Sequence, residues 1–223
     1  MSKRFTEKVA LVFGASRGLG RAIALELGEA GAQVIASART EGALTELDDA
    51  VQAAGGPPVV LAPLDLLDAG ALDRLGAVLF ERWGRLDILV NCAAHAPPLT
   101  PVAHAAFKEV DRAFGVNAFA VQRMARAFDP LLSAAPSARA LFMTDDKTSR
   151  AYWGPYAASK AAGAAFAAAY RAEKESGSVK VEIYAPPAMP TALRGRFYPG
   201  EDRTKLTKPR QVAADVVGKL LAI

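Results

Sequence analysis

The stretch that decides the fold lies near the start of the chain, where residues 8–13 (KVALVF) run directly into residues 14–20 (GASRGLG). The first part is short, apolar and partly β-branched, which predicts a buried strand. Residues 21–30 carry apolar side chains at helical spacing. Glycines between a strand and a helix let a ligand approach the backbone closely, and the amino end of a helix attracts phosphate. This order of elements therefore predicts a pyrophosphate site.

The rest of the chain alternates strand-like and helix-like segments. Strands are predicted at residues 8–13, 33–38, 59–64, 86–90, 139–143 and 180–184. Helices are predicted at residues 21–30, 41–54, 69–83, 103–134 with a break near Gly115, 156–176 and 211–221. This alternation favours an α/β fold with a doubly wound parallel sheet of six to seven strands and helices on both faces. We expect a single domain over residues 1–223, with a lid-like segment at residues 187–209.

Composition narrows the function classes. The 223 residues include 27 basic and 23 acidic side chains, a net charge of +4 that is too small and dispersed to predict nucleic-acid binding. One cysteine, Cys92, excludes an internal disulfide framework. No run approaches the roughly 18 apolar residues of a membrane span. We therefore expect a cytoplasmic protein without a membrane or nucleic-acid partner.

Tyr156 and Lys160 are the first candidates for chemistry. Residues four apart on a helix lie on the same face, so an ammonium would stand beside a phenol. A nearby positive charge lowers the pKa of a phenol from about 10 toward neutrality. Such a phenol can exchange a proton with a carbonyl or alcohol oxygen. The spacing alone is weak evidence for a catalytic pair, because Tyr and Lys four residues apart are also common on solvated helices.

Five features together carry a resemblance to a known family. They are the glycine loop Gly14-Ala-Ser-Arg-Gly18-Leu-Gly20, Asp65 after the third strand, Asn91 after the fourth, Asn117 in the long helix, and Tyr156-x-x-x-Lys160. In these the chain resembles a classical short-chain dehydrogenase/reductase over nearly its full length. Residues 153–160 and 191–194 are similar to a bacterial subgroup of mostly unassigned oxidoreductases.

The resemblance implies a Rossmann-like fold, a nicotinamide cofactor and a small carbonyl or alcohol substrate. It makes Tyr156 the general acid or base, while Lys160 lowers its pKa and holds the nicotinamide ribose. Asn117 would hold a water that relays protons to Lys160, or would simply stabilise a helix break. The implied cofactor-binding residues are Gly14, Ser16, Arg17, Gly18, Leu19, Gly20, Arg39, Asp65, Leu66, Asn91, Ala93, Tyr156, Lys160 and Thr191.

The end of the second strand bears on cofactor choice. An acidic residue there would bind the adenosine ribose hydroxyls and repel a 2′-phosphate, but this chain has Ala38 and then Arg39. Arg17 adds a second guanidinium, and guanidinium groups suit phosphates. We therefore predict NADP(H) over NAD(H), although Arg39 could merely begin a solvated loop. Asp65 would contact the adenine, or serve as a turn or N-cap residue.

The chain departs from the family where a serine should bind the substrate oxygen. The matching position is Asp145 or, one earlier, Thr144. A threonine hydroxyl could donate the same hydrogen bond. An ionised Asp145 could not donate, would repel a developing oxyanion and could oppose Lys160 in stabilising the phenolate. A buried, protonated Asp145 could donate instead. Ser149 could reach the site only if the loop folds back.

Three lesser expectations concern the surroundings of the site. His95 is expected to be a solvated loop residue. Residues of the loops and the lid are expected to give the pocket an aromatic or apolar lining: Pro97, Leu99, Tyr152, Trp153, Phe197 and Tyr198. The basic lid is expected to be a solvated, mobile loop rather than an anion site.

Two functions remain open at this point. One is an NADP(H)-dependent oxidoreductase, and the alternative is a catalytically weak or inactive cofactor-binding sensor or scaffold, because Thr144 and Asp145 replace the usual serine. The resemblance also implies a homodimer or homotetramer, paired through long helices. A row of alanines could serve that contact or pack on the sheet instead: Ala161, Ala164, Ala165, Ala168 and Ala169.

Overall fold

The structure, a computed structural model, describes residues 4–145 and 150–221. Its centre is a parallel sheet of six strands in the order β3-β2-β1-β4-β5-β6. The strands are β1 (Val9–Phe13), β2 (Gln33–Ala38), β3 (Val60–Pro63), β4 (Ile88–Asn91), β5 (Ala138–Met143) and β6 (Val179–Tyr184). The prediction of a doubly wound parallel sheet of six to seven strands is confirmed. The order reverses between β1 and β4, so a crevice opens beyond their carboxyl ends.

The strand predictions differ from the structure by one or two residues at the ends. The largest difference is at β4, which begins at Ile88 rather than Leu86. The backbone N–H of Leu86 donates to Leu131 in a helix, and the buried Asp87 accepts from the backbone N–H of Val9. These two residues are therefore buried without belonging to the regular ladder.

The helices cover both faces of the sheet. They are α1 (Gly18–Glu29), α2 (Glu41–Ala53), α3 (Ala71–Trp83), α4 (Phe107–Phe114), α5 (Ala120–Ser133), α6 (Gly154–Glu173), α7 (Ala192–Phe197) and α8 (Pro209–Leu221). Short 3₁₀ turns occur at Val102–His104 and Arg203–Lys205. Helix α7 was not predicted, because its six residues include a glycine and two arginines.

The long helix predicted at residues 103–134, with a break near Gly115, is wrong only in its first residues. Ala105 and Ala106 are extended, and α4 begins only at Phe107. The predicted break near Gly115 is a π-helical turn, Gly115–Phe119, which joins α4 to α5. A wide turn of this kind is typical of functional positions inside helices. It also places Asn117 in the middle of the segment.

Each face of the sheet carries its own apolar core. Alternate residues of β1 point to opposite faces, so Ala10 and Val12 pack with α1, α2 and α8. Leu11 and Phe13 pack with α3, α5 and α6 on the other face. Both faces of the central strands β1 and β4 are therefore buried, which explains why these strands are almost continuously apolar, whereas the edge strand β6 alternates.

Helix α6 crosses the π-helical turn at very short range. A Cβ added at Gly163 would lie 2.1 Å from the carbonyl oxygen of Asn117. That distance is far inside a van der Waals contact, so glycine is required by the approach of two backbones. The contact fixes α6, and with it Tyr156 and Lys160, against the helix that carries Asn117.

We predict that Gly163→Ala destabilises the protein by at least about 2 kcal/mol, because one of two buried backbones must move. The matched control is Gly42→Ala on α2, where an added Cβ meets nothing within 4 Å. That change should stabilise the protein by roughly 0.5 kcal/mol through helix propensity. Urea denaturation of both variants measures the difference, and equal stabilities would contradict the close approach.

Candidate active site

A cavity of about 290 Å³ opens where the carboxyl ends of the strands meet. It extends from the glycine loop after β1 to Tyr156 and Lys160 on α6. Most of the predicted site residues line it: Gly14, Ser16, Arg17, Gly18, Leu19, Gly20, Arg39, Asp65, Leu66, Ala93, Thr144, Asp145, Tyr156, Lys160 and Thr191. The fold thus brings residues from seven separate segments to one cleft.

The glycine loop has the geometry of a phosphate cradle. Gly14 has a φ of 74°, and a Cβ there would lie 2.8 Å from the backbone nitrogen of Ala93. Among the described residues no side chain caps the amino end of α1, whose first residues, Gly18 to Gly20, line the cavity. The backbone N–H groups of this first turn can therefore bind an anion in the cavity.

The same end of the cleft, between the glycine loop and the end of β2, carries positive charge. Arg17 and Arg39 are exposed at the cavity wall, and Ala38 occupies the position where an acidic residue would meet a ribose. Asp65 also lines the wall, and its carboxylate accepts from the backbone N–H of Leu67 at 3.0 Å. Asp65 therefore stabilises a turn, which is one of the roles predicted for it, and it does not cap the start of a helix.

Ser37 is a cavity residue that sequence reasoning missed. Its side chain is buried, and within the described part of the chain its hydroxyl has no hydrogen-bond partner. The same residue lines the cavity beside Gly14. A buried, unsatisfied hydroxyl at this place fits a polar ligand such as a nucleotide. A small polar residue next to Ala38 and Arg39 was the signal that could have identified it.

Asn91 and Asn117 do not line the large cavity. Both border a neighbouring cavity of about 10 Å³, together with Thr144 and Lys160. This volume is close to the least that holds one water molecule. The Asn117 side chain donates to the carbonyl of His95 and to the Ser159 hydroxyl, and accepts from the N–H of His95. It therefore ties the loop after β4 to α6.

The charge beside the Tyr156 hydroxyl is negative, whereas a positive charge was predicted there. Its ring is buried, and its hydroxyl donates to Asp145 Oδ2 at 3.2 Å. Burial, together with the negative charge of Asp145, raises the pKa of Tyr156 well above its ordinary value. The prediction that Lys160 lowers the pKa of Tyr156 is wrong for this structure. The phenol is held here as a neutral acid.

Lys160 is buried beside it and makes a different contact. Its ammonium donates to the backbone carbonyl of Met143 at 2.5 Å. Burial lowers the pKa of Lys160 to about 8, although the negative charge of Asp145 opposes the shift. Burial also raises the pKa of the Cys92 thiol to about 12. That thiol is therefore an inert wall residue and not a nucleophile.

The position of the missing serine is occupied by Asp145. Thr144 and Asp145 both line the cavity, but it is Asp145 that bonds the Tyr156 hydroxyl. Asp145 is only half-buried. Ser149, which was considered as a substitute, lies outside the described residues.

The expected aromatic lining forms a packed cluster instead. The Trp153 and Phe197 rings have centroids 4.4 Å apart, and both contact the ring of Tyr156. Trp153 and Phe197 are buried and do not line the cavity, where Leu193 and Met189 are found instead. These aromatic side chains pack against one another and not along the cavity, because contacts between rings exclude water more completely than contacts with an open cavity.

The lid-like segment is more ordered than a solvated loop. Arg194 forms a two-fold ion pair with Glu201 at 2.5 Å, and its guanidinium lies 4.3 Å from the centre of the Tyr198 ring. Tyr198 in turn bonds Arg150. Thr191 is the N-cap of α7, and its hydroxyl accepts from the N–H of Arg194. Arg194 lines the cavity, so the lid forms one of its walls.

His95 is not the solvated residue that was expected. It lines the cavity, and its Nε2 lies 3.1 Å from a carboxylate oxygen of Glu109 on α4. The imidazole is only 15% exposed. Because Asn117 fixes the backbone of His95 from both sides, the ring is held at a defined place in the wall.

Comparison with known proteins agrees with this geometry. A family model for short chain dehydrogenases matches residues 8–202. The chain is 33% identical to 1-deoxy-11-beta-hydroxypentalenate dehydrogenase of Streptomyces avermitilis, over 95% of this chain and 80% of that protein.

Solved structures agree as well. A short chain dehydrogenase from Pseudomonas syringae superposes with a TM-score of 0.93 at 30% identity, over 99% of this chain and 91% of that one. One from Shigella flexneri, complexed with NADP, gives a TM-score of 0.91 at 26% identity, over 99% and 92% of the two chains. The chain therefore belongs to the short-chain dehydrogenase/reductase family of oxidoreductases.

Proposed function

We propose that this protein is an NADP(H)-dependent oxidoreductase that interconverts a small carbonyl compound and an alcohol. The observation that carries the proposal is the single cleft that joins an uncapped helix end, with its glycine loop, to the buried Tyr156 and Lys160. An anion-binding end and a proton-donating end on one cavity fit a dinucleotide whose reactive ring lies beside an acid.

The chain's own residues would bind the cofactor and move one proton. When bound, NADPH supplies the hydride. Tyr156, neutral because its pKa is raised, donates its proton to the substrate oxygen as that oxygen gains charge. Lys160 holds the ribose hydroxyls and provides a positive charge. For this proton transfer, the Tyr156 hydroxyl must turn from Asp145 to the substrate. Alternatively, the Thr144 hydroxyl must hold the substrate oxygen within reach of Tyr156.

The preference for NADP(H) over NAD(H) is supported by the charges near the end of β2. Arg17 and Arg39 could both reach a 2′-phosphate, and Ala38 leaves room for it. The Shigella flexneri relative was solved with NADP.

We further propose that copies of the chain associate. Large apolar side chains remain exposed on α4, the π-helical turn and α6, where Phe107 is 86% exposed and Phe119 and Phe166 are partly exposed. A second copy would cover such a face.

Within residues 4–145 and 150–221, no helix is both long and apolar enough to cross a membrane.

The test of the function is Tyr156→Phe. We expect NADPH-dependent reduction of a panel of ketones, aldehydes and quinones to fall at least about a hundredfold, because the proton donor is lost. NADPH affinity, measured by fluorescence titration, should stay within about threefold. If the wild type binds NADPH tightly and reduces no compound of the panel, the alternative of a cofactor-binding sensor or scaffold is correct.

Cofactor choice is tested by Arg17→Ala and Arg39→Ala. Each should weaken NADPH binding by about tenfold or more, because a charge-assisted contact to the 2′-phosphate is lost, and should leave NADH binding unchanged. The matched control is Arg171→Ala, an exposed arginine of α6 outside the cavity. Equal losses for NADPH and NADH would show that the arginines do not read the 2′-phosphate.

The buried Lys160 gives a pH prediction. Its pKa of about 8 in the free protein means that the ammonium is present below pH 8 and is lost as the pH rises. The kcat/KM for NADPH should therefore fall about tenfold per pH unit above that value. Lys160→Arg, which keeps its charge, should flatten this fall. A wild-type profile that is flat to high pH would contradict the role of the ammonium.

A further inference from the structure

His95 is a polar side chain of the cavity wall that the proposed reaction does not use. It lines the cavity, and its imidazole is only 15% exposed. Its Nε2 lies 3.1 Å from a carboxylate oxygen of Glu109 on α4. An ionised carboxylate can only accept a hydrogen bond, so Nε2 carries a proton and donates it to Glu109. The ring is therefore held in one orientation by a charge-assisted contact.

The second ring nitrogen of His95 is directed to the cavity. Within the described part of the chain, His95 lines the cavity and Glu109 does not, so Nε2 points out of the cavity. The two nitrogens of an imidazole point in nearly opposite directions, which turns Nδ1 back to the cavity side. Among the same described residues, Nδ1 has no hydrogen-bond partner, and it is not one of the fully buried polar atoms left unpaired. Nδ1 is therefore accessible to a ligand in the cavity.

His95 stands at the reacting end of this cavity. Its neighbour in the chain, Ala96, belongs to the buried cluster that contains Tyr156. Its backbone is bonded by the Asn117 side chain, which also donates to the hydroxyl of Ser159 on α6. The phenol and the imidazole thus border the same end of the cavity, one from α6 and the other from the loop after β4.

Two hydrogen-bonding side chains at one end of a cavity fit a substrate with two polar groups. Tyr156 would donate to the carbonyl oxygen that is reduced. A hydroxyl group suits the imidazole whether or not Nδ1 carries a proton, because a hydroxyl can donate to a lone pair and can accept from an N–H. A substrate with a methyl group in that place would leave the partly buried Nδ1 without a partner, which disfavours its binding.

We propose that His95 selects hydroxy ketones and hydroxy aldehydes, whose hydroxyl lies on a carbon close to the carbonyl, and that Glu109 positions its ring. This inference rests on the proposed function, because the reaction is the same reduction. The hydride of NADPH adds to the carbonyl carbon, and the Tyr156 proton goes to the carbonyl oxygen. The hydroxyl is bound and does not react, so the product is a diol.

The experiment compares ketones that differ only by a hydroxyl in place of a methyl group: α-hydroxyacetophenone against propiophenone, and β-hydroxypropiophenone against butyrophenone. The ratio of kcat/KM within each pair is measured with NADPH in the wild type, in His95→Leu and in the matched control His104→Leu, an exposed histidine outside the cavity. We expect the ratio for at least one pair to fall about tenfold or more in His95→Leu and to stay unchanged in the control. The intrinsic reactivity of each ketone is the same for every variant, so it cancels from this comparison.

Further variants separate selection of the hydroxyl from a structural role. The kcat/KM of His95→Leu for propiophenone should stay within about threefold of the wild-type value, which shows that the site is intact. Glu109→Gln should lower the hydroxyl-to-methyl ratio about threefold, because an amide no longer fixes which ring nitrogen carries the proton. His95→Asn, which keeps a polar group near Nδ1, should retain part of the wild-type ratio. Equal losses for both ketones of a pair in all three variants would contradict the selection.

A second readout does not depend on turnover. Protein saturated with NADPH cannot oxidise an alcohol, so calorimetry measures the binding of product alcohols alone. Phenylethylene glycol should bind to the wild type about tenfold more tightly than α-ethylbenzyl alcohol, in which a methyl replaces the second hydroxyl. His95→Leu should remove this difference, and His104→Leu should keep it.

The outcomes separate this inference from the proposed function. If propiophenone is reduced with dependence on Tyr156, but the ratios are equal in the wild type and His95→Leu, this inference is overturned and the proposed function stands. If NADPH does not bind, the proposed function fails, and calorimetry without cofactor then decides on the hydroxyl site. A preference for the glycol that is lost in His95→Leu would retain that site, and the absence of a preference would overturn it as well.

Discussion

The arrangement of the site depends on one amide side chain, that of Asn117. The side chain bonds the backbone N–H and carbonyl of His95 and the hydroxyl of Ser159, while the backbone carbonyl of Asn117 lies against Gly163. These contacts join the loop after β4, the π-helical turn and α6 into one unit. Since each buried polar group would be costly to leave unpaired, the unit moves as a whole or not at all. The wide helical turn exists because the carbonyl and the amide must face different partners.

The same unit explains why the site is electrostatically divided. The end near the glycine loop offers backbone N–H groups and two exposed arginines, whose charges water partly screens. The end near α6 is buried, so a single charge there has a large effect on the pKa values of its neighbours. A serine at the position of Asp145 would leave Lys160 as the prevailing charge. The carboxylate instead neutralises the pocket locally and holds the phenol in its protonated form.

Much of this could be predicted from the sequence, and the exceptions have physical causes. Strands of continuous apolar residues and the glycine loop identified the sheet and its crevice, because those patterns arise from local geometry. The Tyr156 and Lys160 pair was found by spacing, and Asp145 was named as a possible opponent of Lys160, but which of the two charges prevails depends on burial and on the distance from the end of β5 to α6. Ser37 was missed because an unsatisfied hydroxyl is visible only when its neighbours are known. The π-helical turn was seen only as a weak break at Gly115, because its hydrogen-bond pattern depends on the packing of α6.

The ring cluster of Trp153, Tyr156 and Phe197 links the acid to the lid. Phe197 is the last residue of α7, whereas Trp153 immediately precedes α6, and each contacts the phenol ring. A displacement of α7 would remove one wall of the slot that orients the phenol. The position of the lid-like segment and the orientation of the proton donor are therefore coupled through direct ring contacts.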